Sequence, residues 1–370
     1  MRQLTSKFAR ECLRQAHIVI TTCDNAWTLD PDDFPAKILV LDECSQAIEP
    51  AALLPVVRFT KSLEQVILGG DDQQLQPFVL SGPGDNEFEP QLRKSWFERA
   101  RLSAVVPRVT LGRQYRMRPE ISRIIIKCFY QNKLQDDESM GVDHPAYINY
   151  MCLAKELNEA GMGWPVSNVL MVDMQEGARS YSQMDSTNSR FNNGHVVIVR
   201  DLCLSLLRPD ANIRGQQVAI LTPYAAQQVR HIRALKTAAV NNPELHNVVV
   251  STVDKFQGQE VDIVLLDLVI RSKRNSALGF MKDRNRLNVA ISCARDMLIV
   301  LGDGSKYQRL LAKPKVAKQS QLFLEVMCDI AKHTMIWNVD KSEYRDIDEW
   351  DMIEGGEVEG MDEEEGEITD

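Results

Sequence analysis

An acidic pair, Asp42-Glu43, follows directly on the apolar run Ile38-Leu39-Val40-Leu41. Two carboxylates at the end of a buried strand suit magnesium–nucleotide chemistry. The first holds the divalent cation, directly or through water, and the second orients and deprotonates an attacking water. Taken alone, the pair reads equally well as a helix cap. A second run, Gln65-Val66-Ile67-Leu68, ends in Gly69-Gly70-Asp71-Asp72-Gln73-Gln74-Leu75-Gln76-Pro77. Glycines there let the backbone approach a ligand. A glutamine amide both donates and accepts, so it registers whether a phosphate is present. Four more segments flank apolar runs: Gln114-Tyr115-Arg116-Met117-Arg118-Pro119, Thr222-Pro223-Tyr224-Ala225-Ala226-Gln227, Ser251-Thr252-Val253-Asp254-Lys255-Phe256-Gln257-Gly258-Gln259-Glu260, and Arg286-Leu287-Asn288-Val289-Ala290-Ile291-Ser292-Cys293-Ala294-Arg295.

Such residues need strand ends held side by side. Short Val-, Ile- and Leu-rich runs recur at 17–22, 37–41, 65–68 and 108–111, then at 169–172, 218–221, 248–250, 263–268 and 298–301. They lack strict alternation, as strands buried on both faces of a parallel sheet do. Two sets predict an α/β fold of two parallel-sheet domains with ligands at the carboxyl ends of strands. Residues 1–110 make the first domain, 111–338 the second, and 339–370 a tail. Residues 131–168 carry no strand pattern and read as an irregular connection. Residues 320–337 read as a last amphipathic helix. Met117 and Pro119 read as packing and turn residues, Val253 and Phe256 as core, and the charged run at 313–318 as solvated.

The net charge of -9 at first argues against nucleic acid, whose binders are usually basic. The charge is uneven, however. Residues 340–370 hold fifteen acids and two bases, a net of -13, and residues 1–339 hold 41 bases and 37 acids, a net of +4. The tail is too polar to offset its ordering entropy and is expected to be disordered. No apolar run approaches the roughly 18 residues of a membrane span, and the charged start lacks a signal-peptide pattern. The expectation is an intracellular protein, cytoplasmic or nuclear, with no membrane partner. None of the eight cysteines forms a Cys-x-x-Cys pair, and the histidines form no His-Glu-x-x-His. Zinc knuckles and a disulfide framework are not indicated.

In their order and spacing, the six segments resemble motifs II to VI of superfamily 1 helicases, most closely the up-frameshift and senataxin-like type. The resemblance covers about residues 15–305. It implies two RecA-like domains with ATP and Mg2+ in the cleft between them. It also implies a single nucleic-acid strand across their top, travelled 5′ to 3′, with RNA slightly favoured over DNA. By this resemblance Asp42 is the magnesium ligand, Glu43 the general base, and Gln74 the sensor of the γ-phosphate. Tyr115 stacks on adenine, and Arg116 is an arginine finger. Gly258 and Glu260 lie near the ribose, Arg286 belongs to the nucleotide set or serves with Asn288 as buried hydrogen-bonding scaffolding near the cleft, and Thr222 and Thr252 give backbone contacts to the strand. Such contacts position a strand without reading its sequence.

Two departures bear on activity. No Gly-Lys dipeptide occurs in the 370 residues, so the Gly-x-x-x-x-Gly-Lys-Ser/Thr loop that cradles phosphates is absent. With 41 residues ahead of Asp42, the expectation is a first domain lacking its phosphate-binding start, and a chain nearly inactive by itself. The last motif has Ser292-Cys293-Ala294 where the family usually has Thr-Arg-Ala, and a thiol does not replace a guanidinium fork. The alternative is a degenerate relative that binds nucleic acid or protein without hydrolysis. The acidic tail is a candidate site for protein partners, or a competitor for the strand's place.

Overall fold

The computed structural model describes residues 2–79, 81, 85–161, 164–174, 181–271, 279–333 and 336–339. The tail from residue 340, with the disorder and partners expected of it, lies outside them, as do the side chains of residues 314–319 in the charged run. In chain order the strands are β1 (Ile38–Leu41), β2 (Gln65–Leu68), β3 (Arg113–Gln114), β4 (Gln135–Asp136), β5 (Val169–Met174), β6 (Gln183–Met184), β7 (Arg190–Phe191), β8 (Val218–Thr222), β9 (Val249–Thr252), β10 (Val261–Asp267), β11 (Ala294–Gly302) and β12 (Ile336–Val339). β1 and β2 pair in parallel. Six others form one sheet in the order β12-β5-β11-β10-β8-β9, with every neighbouring pair parallel. The expected α/β architecture with parallel sheets is present.

Successive strand side chains point to opposite faces, and the large sheet uses both. One face carries Val169, Met171, Ala219, Leu221, Val264, Leu266, Leu298 and Val300 into a core with the helices Pro119–Cys128, Arg284–Ser292 and Pro314–His333. The other carries Leu170, Val172, Val218, Ile220, Ile263, Leu265, Met297 and Ile299 against the helices Pro145–Glu159, Asn193–Leu206 and Ala225–Ala238. Burial on both sides explains runs without polar alternation. Met117, Val253 and Phe256 are core, and Pro119 opens a helix at its first turn, where its missing N–H costs nothing.

Three expectations need correction. Residues 17–22 and 108–111 are not strands. No described strand pairs with them, Ile18, Ile20, Val109 and Leu111 are exposed, and a lone strand leaves its backbone donors without partners. The supposed irregular connection contains the helix Pro145–Glu159, whose Tyr150, Leu153, Ala154 and Leu157 recur at helical spacing and bury one stripe. The last helix runs Pro314–His333 with a break at Ser320, and the chain then adds β12 beside β5. That strand ends at Val339, one residue past the expected domain boundary.

A buried polar network closes the carboxyl end of β10. Asp267 Oδ1 lies 2.6 Å from His195 Nδ1 and accepts from Val269 N at 2.8 Å. Its Oδ2 accepts from the Gln227 amide at 2.6 Å and lies 2.9 Å from His231 Nε2. Val269 takes a φ of 63°, a costly conformation for a β-branched residue. The Asp267 contact and a bond from Asn192 Nδ2 to Val269 O at 3.2 Å hold it there.

Burial pushes the Asp267 carboxyl up, but His195 and His231 outweigh it and hold the group well below the usual carboxylate range. Its stabilisation is therefore present at neutral pH and is lost as pH falls through that depressed value. Asp267→Asn is expected to cost about 3 kcal/mol at pH 7 and to narrow towards wild type in acid. Urea unfolding across pH checks this; equal stability at pH 7 would contradict it.

Candidate active site

Parallel pairing brings Asp42 and Gly69 out side by side at the ends of β1 and β2. Gly69 N donates to Leu41 O and Cys44 N to Gly69 O, both at 2.8 Å. Asp42 Oδ1 accepts from Glu43 N at 3.0 Å, and Glu43 takes a left-handed φ of 49°. That backbone turns the second carboxylate away from the first. Asp42 is exposed and Glu43 half-buried. One exposed carboxylate suits Mg2+, which keeps several waters and takes its other oxygens from phosphates. Among the described residues, no cluster of three or more His, Cys, Asp or Glu side chains is arranged to hold a metal.

The two sheets meet at a seam, and Glu43 crosses it. Gln257 Nε2, from the segment after β9, donates to Glu43 Oε2 at 3.0 Å. Gly258 follows at φ 78°, and a side-chain carbon there would lie 4.0 Å from Glu43 Oε1. The residues after β2 are gripped from the other side. Asn285 Nδ2 donates to Asp72 O at 3.2 Å and Gln74 O at 2.5 Å, and Asn288 Nδ2 donates to Gln73 O at 2.9 Å. Tyr130 OH donates to Asp71 Oδ2, the same oxygen that accepts from Gln74 Nε2 at 3.3 Å. Burial and the Asp71 carboxylate push the Tyr130 phenol up, so it stays a donor. The Gln74 amide is thus oriented by an aspartate that the second sheet's side holds through Tyr130.

Arg116 reaches the same seam. Its Nε donates to Glu260 Oε2 at 2.7 Å and its Nη1 to Ser292 O at 3.2 Å. Arg295 flanks Glu260 on its other oxygen at 3.8 Å. Tyr115 is 64% exposed, which leaves its ring face free for a planar partner. Cys293 is 2% exposed, and burial pushes its thiol up to about 12, against a smaller opposing pull from Arg116. It is core, not a second cation.

Thr222 and Thr252 sit in register at the carboxyl ends of β8 and β9. The Thr222 side chain is fully buried, and its hydroxyl has no hydrogen-bond partner among the described residues. Arg286 is occupied elsewhere: its Nε and Nη2 donate to the two Asp254 oxygens at 2.7 and 2.9 Å. Across the seam Glu43 meets Gln257 and Gly258, while Arg116 pairs with Glu260 two residues further on and Arg286 pairs with Asp254. Sequence reasoning missed Gln257, Tyr130 and Asn285. Each acts across at least 59 positions, and no local pattern marks such a pairing.

The buried thiol gives a direct check. At pH 8, iodoacetamide should alkylate the exposed Cys12 and Cys152 and leave Cys293 untouched until denaturant is added. Peptide mass mapping reads this; native labelling of Cys293 as fast as Cys12 would contradict its burial.

Profiles described as AAA domain match residues 92–305 and, separately, residues 1–82. The chain is 29% identical over 302 residues to the ATP-dependent helicase NAM7 of Saccharomyces cerevisiae, covering 81% of this chain and 29% of that protein. It is 28% identical over 332 residues to a Regulator of nonsense transcripts 1 homolog of Arabidopsis thaliana, covering 88% and 23%. It is 30% identical over 295 residues to the 5'-3' DNA helicase ZGRF1 of Mus musculus, covering 79% and 14%. The chain therefore spans less than a third of each of these relatives. Among the described residues, no helix is long and apolar enough to cross a membrane. With most of its length matched by this profile pair, the chain belongs to the AAA-domain superfamily 1 helicases of the up-frameshift type.

Proposed function

We propose that this chain supplies the strand-gripping half and part of the hydrolytic half of an ATP-driven, 5′ to 3′ single-strand translocase. The observation that carries this reading is the Gln257–Glu43 contact, which puts a carboxylate from one sheet's strand end beside the segment following a strand end of the other. Closing or opening that seam moves both edges at once. Asp42 is the residue that would hold Mg2+ with the nucleotide, and the ion would neutralise phosphate charge. Glu43 accepts the proton of the attacking water, and Gln74 orients that water. Arg116 is half-buried and held by Glu260 and Ser292 O, and a developing phosphate charge would compete with Glu260 for its guanidinium. Tyr115 offers its face to the base, and Gly258 and Glu260 lie on the ribose side. Thr252, half-buried, takes the strand by its backbone, and Thr222, fully buried, anchors the neighbouring β-strand end.

Residues 1–110 and 111–338 act as the two moving bodies. The names of the relatives favour nonsense-transcript RNA and DNA alike, and RNA is the slightly preferred strand. A second reading, a relative with weak or no hydrolysis, is favoured by the buried Cys293, which stands where the family's motif usually carries an arginine.

Strand-stimulated triphosphate hydrolysis separates them. It is measured on this chain and on the chain joined to a relative's phosphate-binding segment. Little turnover is expected from the first and clear turnover from the second, falling at least 100-fold on Glu43→Gln. Turnover unchanged by Glu43→Gln would overturn the assignment, and no turnover in the joined protein would favour the binding-module reading.

A further inference from the structure

The geometry points to Phe280 as a base-stacking platform for the single strand, a site beyond the motif residues. The inference rests on the reading of the carboxyl ends of β8 and β9 as the strand-gripping edge. Phe280 lies on the short turn Gly279–Lys282, which seats against the segments that follow β8 and β10. Gly279 takes a φ of 60°, and a side-chain carbon there would come 2.0 Å from Ile270 Cδ1 and 2.2 Å from Tyr224 Oη. Only glycine lets the turn sit so close. Phe280 N then donates to Tyr224 OH at 3.3 Å.

The ring itself is clamped. The Tyr224 ring lies 5.3 Å away at 38°, and the Arg286 guanidinium is 5.5 Å from its centroid. Arg286 is fixed in turn by both Asp254 oxygens and by Phe280 O at 3.4 Å. Yet Phe280 stays 58% exposed. Exposed apolar side chains are common singly and need no explanation. What distinguishes this one is exposure with immobility: among the described residues, the exposed Phe8, Phe78 and Phe88 have no aromatic or cationic ring partner. A ring already held in place loses little entropy when a base lies on it.

Its setting suits a strand. Tyr224 is two residues beyond Thr222 and Asp254 two beyond Thr252, so both struts grow from the strand ends proposed to meet the backbone. Lys255, next to Asp254, and Lys282, two residues past Phe280, are both exposed. Of the nearby acids, Asp254 is neutralised by Arg286, and Asp283 caps the helix Arg284–Ser292 through Arg286 N at 2.8 Å. Every base has a π-face, so stacking here is indifferent to sequence.

The test is binding of the whole chain to a fluorescent single-stranded oligonucleotide and to the same strand with abasic sites, over a range of salt. Phe280→Ala and Phe280→Leu should each weaken binding about tenfold, with the salt slope unchanged, because a stacking contact releases no counterions. Neither should matter on the abasic strand. Phe280→Trp should retain affinity and add emission that the strand quenches, read against wild type. Wild-type binding with no loss in Phe280→Ala would overturn the platform alone. Equal loss on abasic and normal strands would overturn it too. Failure of wild type to bind any single strand would overturn the strand reading beneath it.

Discussion

Parallel pairing is the constraint on which the molecule depends. When every strand of a sheet runs the same way, all carboxyl ends emerge at one edge. Here that puts Asp42 beside Gly69 and Thr222 beside Thr252 without any further device. The cost is a polar backbone at each edge and strand ends that need capping. The large sheet meets it with Asp267, whose two oxygens take four partners in a space with no water access. The same contacts hold Val269 in a conformation it would not choose.

The seam follows from that edge. One side offers carboxylates and Gln74, and the other offers an amide, a glycine, a guanidinium and a pair of asparagines. The contacts are mostly polar, side chain to side chain or side chain to backbone carbonyl, with Leu75 packing on the large sheet's core. Such an interface opens at low cost, as domain movement requires. Tyr130 adds a link between the bodies: it holds Asp71, and Asp71 holds Gln74. Gln74 is thereby linked to the helix Pro119–Cys128 that leads to Tyr130, and through Asn288 to the helix Arg284–Ser292.

Much of this was legible in the residues. The runs at 218–221, 263–268 and 298–301 announced a doubly covered sheet because burial on both faces removes the need for polar alternation. The same logic misled at 17–22 and 108–111, since an apolar run becomes a strand only where a neighbour completes its hydrogen bonds. Asp42, Glu43 and Gln74 were marked by their place after apolar runs and by the likeness of their segments to helicase motifs. Gln257 was not, because its role depends on a partner 214 residues away. Arg286 sat in a motif yet serves Asp254 and Phe280, a local choice between two neighbouring carboxylates that spacing does not encode. The left-handed backbone at Glu43 was likewise invisible, since the residue type argues against it.

The central claim is that Glu43 and Gln257 face each other across a seam that nucleotide occupies. The most direct measurement is cross-linking of a chain carrying Glu43→Cys and Gln257→Cys by a bismaleimide whose spacer matches the reach of the two replaced side chains, mapped by peptide mass spectrometry. The account predicts rapid cross-linking of positions 43 and 257, slowed by a bound magnesium–nucleotide complex in the joined protein. Two cysteines that stay unlinked and are alkylated independently would contradict it.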